Sequence, residues 1–393
     1  MTRARVAALA VAMAGSAALS GRLVAAGVDR RLNTTALPGP YGVRPDALHT
    51  HRSATIVDLH CDALLWRRDL AQRGRSGHLD LPRLRAGNVA LQVFAVTSHA
   101  PMGLNFERNE PRRDLVTVLQ ILQGRPVPTW TSRVARALDA SDRLHALAAA
   151  DAGLRIVRTR ADLEALVAAR TADPRTVGGL LAIEGAHALD GRLDALDELV
   201  AAGFRMIGLQ HFFDNDAGGS SAGVGKGGLT DFGRELIGRM ETAGVALDLA
   251  HSSAAVIDEA LRIATKPVVV SHTGVRGTCD NSRNLSDDQL RGVAATGGAV
   301  GIALFEHAVG GTGVDATARA MRHTADVIGV EHVALGTDWD GAISCAVDAS
   351  GLCVLTEAML DVGFSGDDVH AILGGNALRV LRATLPEGTA TLG

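Results

Sequence analysis

His60 and Asp62 stand one residue apart in Ile56-Val-Asp-Leu-His-Cys-Asp62, with Asp58 two positions upstream of His60. On a β-strand alternate side chains share a face, so Asp58, His60 and Asp62 are expected to point one way and Val57, Leu59 and Cys61 the other. Three titratable groups on one face of an apolar strand are costly to bury without a partner. A metal ion is the partner that suits a His-x-Asp pair. The pattern returns at the ends of later apolar runs: Leu180–Glu184 closes on a carboxylate, Phe204–His211, Val245–His251 and Pro267–His272 each close on a histidine, and His332–Asp338 closes on an aspartate. Coincidence at every one of these equivalent positions is harder to accept than one metal centre. Imidazoles and carboxylates without a thiolate suit zinc or another borderline divalent ion and leave positions open for water. The donors suffice for two ions, with Glu184 as the natural bridge, and two ions roughly 3.5–4 Å apart would share a hydroxide nucleophile. The chemistry indicated is hydrolysis.

To bring these groups together the chain must place several strand ends at one point. Short apolar runs alternate with longer helical patterns, the signature of βαβ units around a parallel sheet. The predicted strands are Ile56–Asp62, Val89–Val96, Gly179–Glu184, Phe204–His211, Val245–His251, Pro267–His272, Ala299–Phe305 and His332–Asp338. Helical patterns cover Asp190–Ala202, Asp231–Ala243, Ala254–Ala264, Ser286–Thr296 and Asp315–Ile328. Eight such units make an α/β (β/α)8 TIM barrel, whose catalytic face is built at the C-terminal strand ends. The long interval between the second and third strands reads as an insertion of extra helices at Arg113–Gln123, Ser132–Ala150 and Ala161–Ala169. Val369–Leu381 reads as the last helix. The Gly-rich stretch Ala217–Gly228 is either an active-site loop or a linker without a role.

The 393 residues are 47% apolar, carry 45 glycines and have a formal net charge of −4. No block of Lys or Arg offers a nucleic-acid footprint, so nucleic acid is excluded as a partner. Met1-Thr-Arg-Ala-Arg5 followed by an Ala-rich apolar run reads as an export signal. The run is broken at Arg22 and falls short of the roughly 20 residues that span a bilayer, which leaves an uncleaved N-terminal anchor as the alternative. The expected layout is therefore a signal or anchor over 1–28, a polar linker over 29–50 and one metallohydrolase domain over 51–393. Export would place the protein in the periplasm or outside the cell, with membrane association through the N-terminus alone. Cys61, Cys279, Cys345 and Cys353 could form at most two disulfides there, and their spacing makes no thiolate metal site.

The ordered series Asp58-Leu-His-Cys-Asp62, His78-Leu-Asp-Leu-Pro-Arg-Leu-Arg-Ala-Gly87, Ile183-Glu-Gly-Ala-His187, Asp248-Leu-Ala-His251, Ser271-His272, Ser282-Arg-Asn-Leu285, Gly336-Thr-Asp-Trp-Asp-Gly341 and Gly374-Gly-Asn376 resembles the membrane (renal) dipeptidase family of zinc metallopeptidases, within the amidohydrolase superfamily. The resemblance runs from about residue 56 to 382. It implies two Zn2+ per chain: His60 and Asp62 on one, His251 and His272 on the other, Glu184 between them. It further implies that His211 stabilises the oxyanion, that Arg283 receives the substrate's C-terminal carboxylate, and that Asp338 relays the proton and holds the free amino group. Read without the resemblance, Arg283 could equally be a surface residue ahead of a helix. Asp58, His187 and Asp340 are expected to hydrogen-bond the ligands, and the remaining histidines to be structural or exposed. The activity implied is hydrolysis of dipeptides by a metal-bridging hydroxide, with N-acyl amino acids, lactones or β-lactams as the alternative substrates. The pocket stretch Phe212–Asp216 and the Gly-Ala after Glu184 depart from the family pattern and leave substrate preference open. A homodimer is an expectation from the resemblance alone.

Overall fold

The computed structural model describes residues 19–388. Eight parallel strands form its centre: β1 (Ile56–Cys61), β2 (Val89–Thr97), β3 (Val177–Glu184), β4 (Phe204–Gly208), β5 (Ala246–Asp248), β6 (Val269–Thr273), β7 (Ala299–Ile302) and β8 (Val333–Leu335). Each pairs with the next, and β8 returns to β1 through Leu335 opposite Asp58, so the sheet closes into the expected (β/α)8 barrel. The long apolar β2 and β3 are buried throughout, as strands covered on both faces must be. Neighbouring residues of one strand fall into different buried clusters. Ile183, Ile207 and Leu247 join the helix residues Leu236 and Ile257, whereas Ala182, Ala246, Ala299 and Ala334 join Leu378 and Leu381 of the last helix. A register shift between Asp58 and Cys61 interrupts the strict alternation of β1, and Cys61 leaves the cluster that holds Val57 and Leu59.

The insertion after β2 contains three helices, Leu115–Leu122, Arg133–Ala150 and Arg160–Ala172, and the short strand Leu154–Ile156, which pairs with β3. The third of these helices begins ahead of the expected Ala161 because Thr159 and Asp162 form a capping box. The helix expected from Asp190 begins only at Ala195. Asp190 and Gly191 both take left-handed backbone conformations, at φ 51 and 72, which a helix cannot continue through. Gly374 explains part of the Gly374-Gly-Asn376 motif: a Cβ there would collide with the Thr55 carbonyl at 1.8 Å. Asn376 then donates to the Val330 and Val333 carbonyls, both at 2.8 Å, and ties the last helix to β8.

The stretch expected as a polar linker is built onto the barrel. Residues 19–32 are helical, Thr34–Thr35 pairs with Ser344–Cys345, and the boundary drawn at residue 50 falls inside the helix Pro45–Ser53. Proline in the first turn starts that helix without losing a bond. Its polarity belongs to partners in the domain: Asp29 and Asn33 are buried. Residues 1–18 of the expected leader lie outside the described residues. No described helix is long and apolar enough to cross a membrane. All four cysteines are free thiols, three of them buried, so no disulfide forms.

Candidate metal centre

The expected donors meet at the C-terminal mouth of the barrel. Glu184 is the last residue of β3, Asp62 follows β1 directly, and His272 lies within β6. His211, His251 and Asp338 lie past the ends of β4, β5 and β8, on turns that aim them inward. Two of these turns need left-handed backbones, His251 at φ 63 and Asp338 at φ 62. Such conformations cost a non-glycine residue about 1–3 kcal/mol each and collect at functional sites.

Glu184 sits in the middle. Its Oε1 is 3.2 Å from His251 Nε2, 3.5 Å from His272 Nε2 and 3.6 Å from His60 Nε2, and its Oε2 is 3.3 Å from His211 Nε2. His60 Nε2 also lies 3.5 Å from Asp62 and 3.8 Å from Asp338. Three sets, His60–Asp62–Glu184, His60–His272–Asp338 and Glu184–His211–His251, each bring one donor atom per residue within 4.8 Å of the others. All these residues are buried.

The electrostatics describe a centre short of positive charge. Burial opposes a charged His60, but the carboxylate of Asp62 beside it and those of Glu184 and Asp338 prevail and push it up to about 10. Burial also opposes ionisation of Glu184, yet His211, His251 and His60 hold its carboxyl well below the usual range. Burial pushes Asp338 well above the usual carboxylate range. His251 and His272 are held well below the ordinary imidazole value, chiefly by burial, with Arg283 adding to it. Their Nε2 atoms face each other at 2.9 Å. His60 Nε2 and His251 Nδ1 have no hydrogen-bond partner. His60 Nε2, without a hydrogen-bond partner and set among the carboxylates of Asp62, Glu184 and Asp338, fits a divalent cation, which would take the place of its proton.

Hydrogen bonds behind the donors hold them in orientation. Ser271 Oγ donates to Asp248 Oδ2 at 2.6 Å and lies 2.9 Å from His272 Nδ1. Having given its own proton to Asp248, the hydroxyl accepts Nδ1–H and leaves His272 Nε2 free for a ligand. Asp58, pushed up to about 6 by burial, accepts from Gln92 Nε2 and from the Thr337 amide and hydroxyl, each at 2.7 Å. It thereby fixes β8 against β1 beneath His60. Thr97, which the sequence reading missed, has its hydroxyl 2.7 Å from both Asp62 Oδ1 and Glu184 Oε2. Its place at the C-terminal end of β2 is the signal that could have found it.

Other expected residues stand elsewhere. Asp340 does not touch the donors: its carboxylate meets Arg68 Nη1 and the His78 amide, both at 2.7 Å. His187 packs beside His99 and Phe213 with neither ring nitrogen bonded, so it is not a hydrogen-bond partner of Glu184. His99, expected to be structural or exposed, is buried and accepts from His211 Nδ1 through its carbonyl at 3.2 Å. Arg283 is buried, donates to the His272 carbonyl at 2.7 Å, keeps an unpartnered Nε and has no carboxylate within ion-pair distance among the described residues. The Gly-rich stretch braces the site from behind: Ser221 donates its amide to the His251 carbonyl at 2.8 Å, and Ser220 Oγ donates to that of His211.

A cavity of about 320 Å³ opens onto Asp62, Glu184, His211, His251 and Asp338. His60, His272 and Arg283 lie outside its lining. Trp66, Phe106, Leu119, Phe212 and Phe305 make its walls apolar. Against this geometry, the sequence profile described as Membrane dipeptidase (Peptidase family M19) matches residues 45–390. The chain belongs to the membrane dipeptidase family.

Among curated relatives of this membrane dipeptidase family member, Dipeptidase aclJ of Aspergillus oryzae is 32% identical over 218 residues, 53% of this chain and 52% of that protein. Dipeptidase 3 of Mus musculus is 26% identical over 371 residues, 86% of this chain and 66% of that protein. The chain thus spans about half to two thirds of these relatives. Dipeptidase AC, a metallopeptidase of family M19, superposes with a TM-score of 0.69 at 24% identity, covering 85% of this chain and 99% of that one. A metallopeptidase from Rhodobacter sphaeroides, solved with a phosphinate mimic of the dipeptide L-Ala-D-Ala, gives 0.67 at 24% identity over 84% and 99%. These likenesses show a shared fold. Of the stretches that depart from the membrane dipeptidase pattern, Phe212 reaches the cavity, while Asp214 turns back to accept amides of the Gly-rich stretch.

Proposed function

We propose that this chain is an exported metallo-dipeptidase that holds two zinc ions and hydrolyses the peptide bond of small, largely apolar dipeptides. The observation that carries the reading is the convergence of His60, Asp62, Glu184, His251 and His272, with His60 Nε2 unpartnered, beneath a cavity sized for a small molecule. His60 and Asp62 would hold one ion, His251 and His272 the other, with Glu184 between them. Bound there, the ions would supply Lewis-acid chemistry, acidifying the attacking water and polarising the scissile carbonyl.

The chain's own residues do the rest. Asp338 Oδ1, beside His60 and facing the cavity, takes the proton of the attacking water and returns it to the leaving amine; burial keeps its proton affinity high enough to do both. His211 lines the cavity with Nε2 3.3 Å from Glu184 Oε2, while Nδ1 donates to the His99 carbonyl. Donation from Nε2 to the developing oxyanion therefore calls for the doubly protonated ring. Arg283, buried just outside the cavity lining and without an anionic partner among the described residues, would have to be uncovered by the substrate to meet its carboxylate, for which the planar fork is suited. The apolar walls exclude water around the reacting groups. The relative with a bound dipeptide mimic supports the same substrate class.

The test is activity over a panel of dipeptides of both configurations, with metal analysis of the same sample. Turnover that chelation abolishes and zinc restores is the expected result. Two bound zinc ions with no dipeptide turned over would refute the reading.

A further inference from the structure

The cavity has a wall that the family match does not include. Residues 19–32 form a helix ahead of residue 45, where the match begins, and its Val28 and Leu32 line the cavity beside the candidate metal centre. The helix is docked by specific contacts. Arg68 clamps Asp29 through Nε at 2.8 Å and Nη2 at 3.1 Å while its Nη1 holds Asp340. Asn33 Oδ1 accepts from the Ala342 amide at 2.9 Å, and the Thr34 carbonyl accepts from His78 Nε2 at 2.7 Å. At its other end Gly21 lies so close to the Leu122 carbonyl that a Cβ would come within 2.9 Å. The face turned to the barrel is Gly21, Ala25 and Asp29, small or paired. Val28 and Leu32 remain 37% and 38% exposed, at an open mouth.

We propose that this helix is a specificity element of the active site, with Val28 and Leu32 forming the outer wall of an apolar pocket for the side chain of the substrate's N-terminal residue. The inference rests on the dipeptidase reading above. Orientation follows from the docking: the helix ends against the loop Gly341–Ile343, which continues from Asp338, the group assigned to the substrate's amino end. Arg283, assigned to the carboxylate, follows β6, on the opposite side of β7 from β8. Leu104, Phe106 and Ile343 complete an apolar surround, so leucine-like or aromatic side chains fit and charged ones do not. The helix overlaps the stretch 1–28 expected as a signal or anchor, so the proposal applies to the chain that retains residues 19–32, uncleaved or cut ahead of them.

The experiment uses the zinc-loaded full chain and the ratio of kcat/KM for Leu-Ala to that for Ala-Ala. In the V28A/L32A double variant this ratio should fall about tenfold, since lost apolar contacts at a substrate pocket weaken discrimination on that scale. Leu23→Ala, on the outward face of the same helix, should leave the ratio unchanged. Hydrogen exchange of the zinc-loaded chain supplies a readout independent of turnover: amides of residues 26–33 should slow on adding a non-hydrolysable phosphinate analogue of Leu-Ala more than on adding that of Ala-Ala, at concentrations where both are shown to bind. An unchanged ratio in V28A/L32A, or equal protection by the two analogues, overturns the proposal while leaving the dipeptidase reading standing. Failure of the parent protein to cleave either peptide would instead refute that reading.

Discussion

Ser271→Ala should weaken one metal ion selectively. In the parent protein Ser271 Oγ, committed as a donor to Asp248, accepts Nδ1–H of His272 at 2.9 Å and so leaves Nε2 bare. Without the hydroxyl, a metal on Nε2 forces the buried Nδ1–H to remain without an acceptor, which costs about 1–3 kcal/mol. The metal-free protein escapes most of this cost by moving the proton to Nε2, where His251 Nε2 at 2.9 Å and Glu184 Oε1 at 3.5 Å can accept it. The penalty therefore falls on the metal-bound state, and at 1.4 kcal/mol per factor of ten it amounts to roughly five- to hundredfold in affinity. Titration of metal-free protein with zinc against a competing chelator reads this directly, with the thermal midpoint of the metal-free variant as control. The site at His272 should weaken by that factor, the site at His60, whose Nδ1 lies 3.5 Å from the same hydroxyl, by less, and the metal-free midpoint should fall only by what Asp248 loses with its hydroxyl donor. Unchanged zinc affinity with a lowered midpoint would show that Ser271 supports the fold alone and that the tautomer argument is wrong.

Asp62→Asn should reduce occupancy of the ion assigned to His60 before it affects folding; equal occupancy of both sites, measured by metal analysis after dialysis, would mean the ligand is wrongly assigned. Arg283→Ala should lower kcat/KM for dipeptides about thirtyfold or more, as expected for loss of a buried charge pair worth about 2–5 kcal/mol, but much less for the same dipeptides as C-terminal amides. Acid should destabilise the protein through His51, which burial lowers to about 4 and whose ring nitrogens sit between the Thr356 hydroxyl and the Gly87 carbonyl. Because its folded value lies below the unfolded value, its contribution is complete above the unfolded value and fades as pH falls towards about 4. Between pH 7 and 5 this amounts to about 2 kcal/mol. Urea unfolding of parent and His51→Gln at the two pH values should show a smaller acid loss in the variant.

The barrel was legible because its signal is local: each strand is an apolar run, and the donors sit where those runs end. The ends themselves were drawn too far. The regular strands stop at Gly208, Asp248 and Leu335, and His211, His251 and Asp338 lie on the turns beyond, where a left-handed residue can aim a side chain that a strand would not. What stayed hidden was long-range. Nothing near Asp340 announces Arg68 or His78 as its partners, and nothing near Asp29 announces that its charge is buried. A polar N-terminal stretch looks the same in sequence whether its polarity faces water or an arginine of the barrel. Thr97 was missed for a simpler reason: a hydroxyl attracts less notice than an imidazole, although it occupies an equivalent place at a strand end.

The unpaired cysteines bear on how this protein can be handled. No covalent cross-link fixes the fold, so its assembly requires neither an oxidant nor disulfide exchange, and a reductant should leave its melting behaviour untouched. Burial pushes the thiols of Cys61 and Cys345 well above their ordinary values, which keeps both protonated in neutral and mildly alkaline buffers. A protonated, enclosed thiol neither competes for zinc nor reacts readily with alkylating agents. Half-buried Cys279 is thus the thiol such reagents should label first in the folded state, and the appearance of Cys61 among labelled peptides would serve as a marker that the barrel has opened.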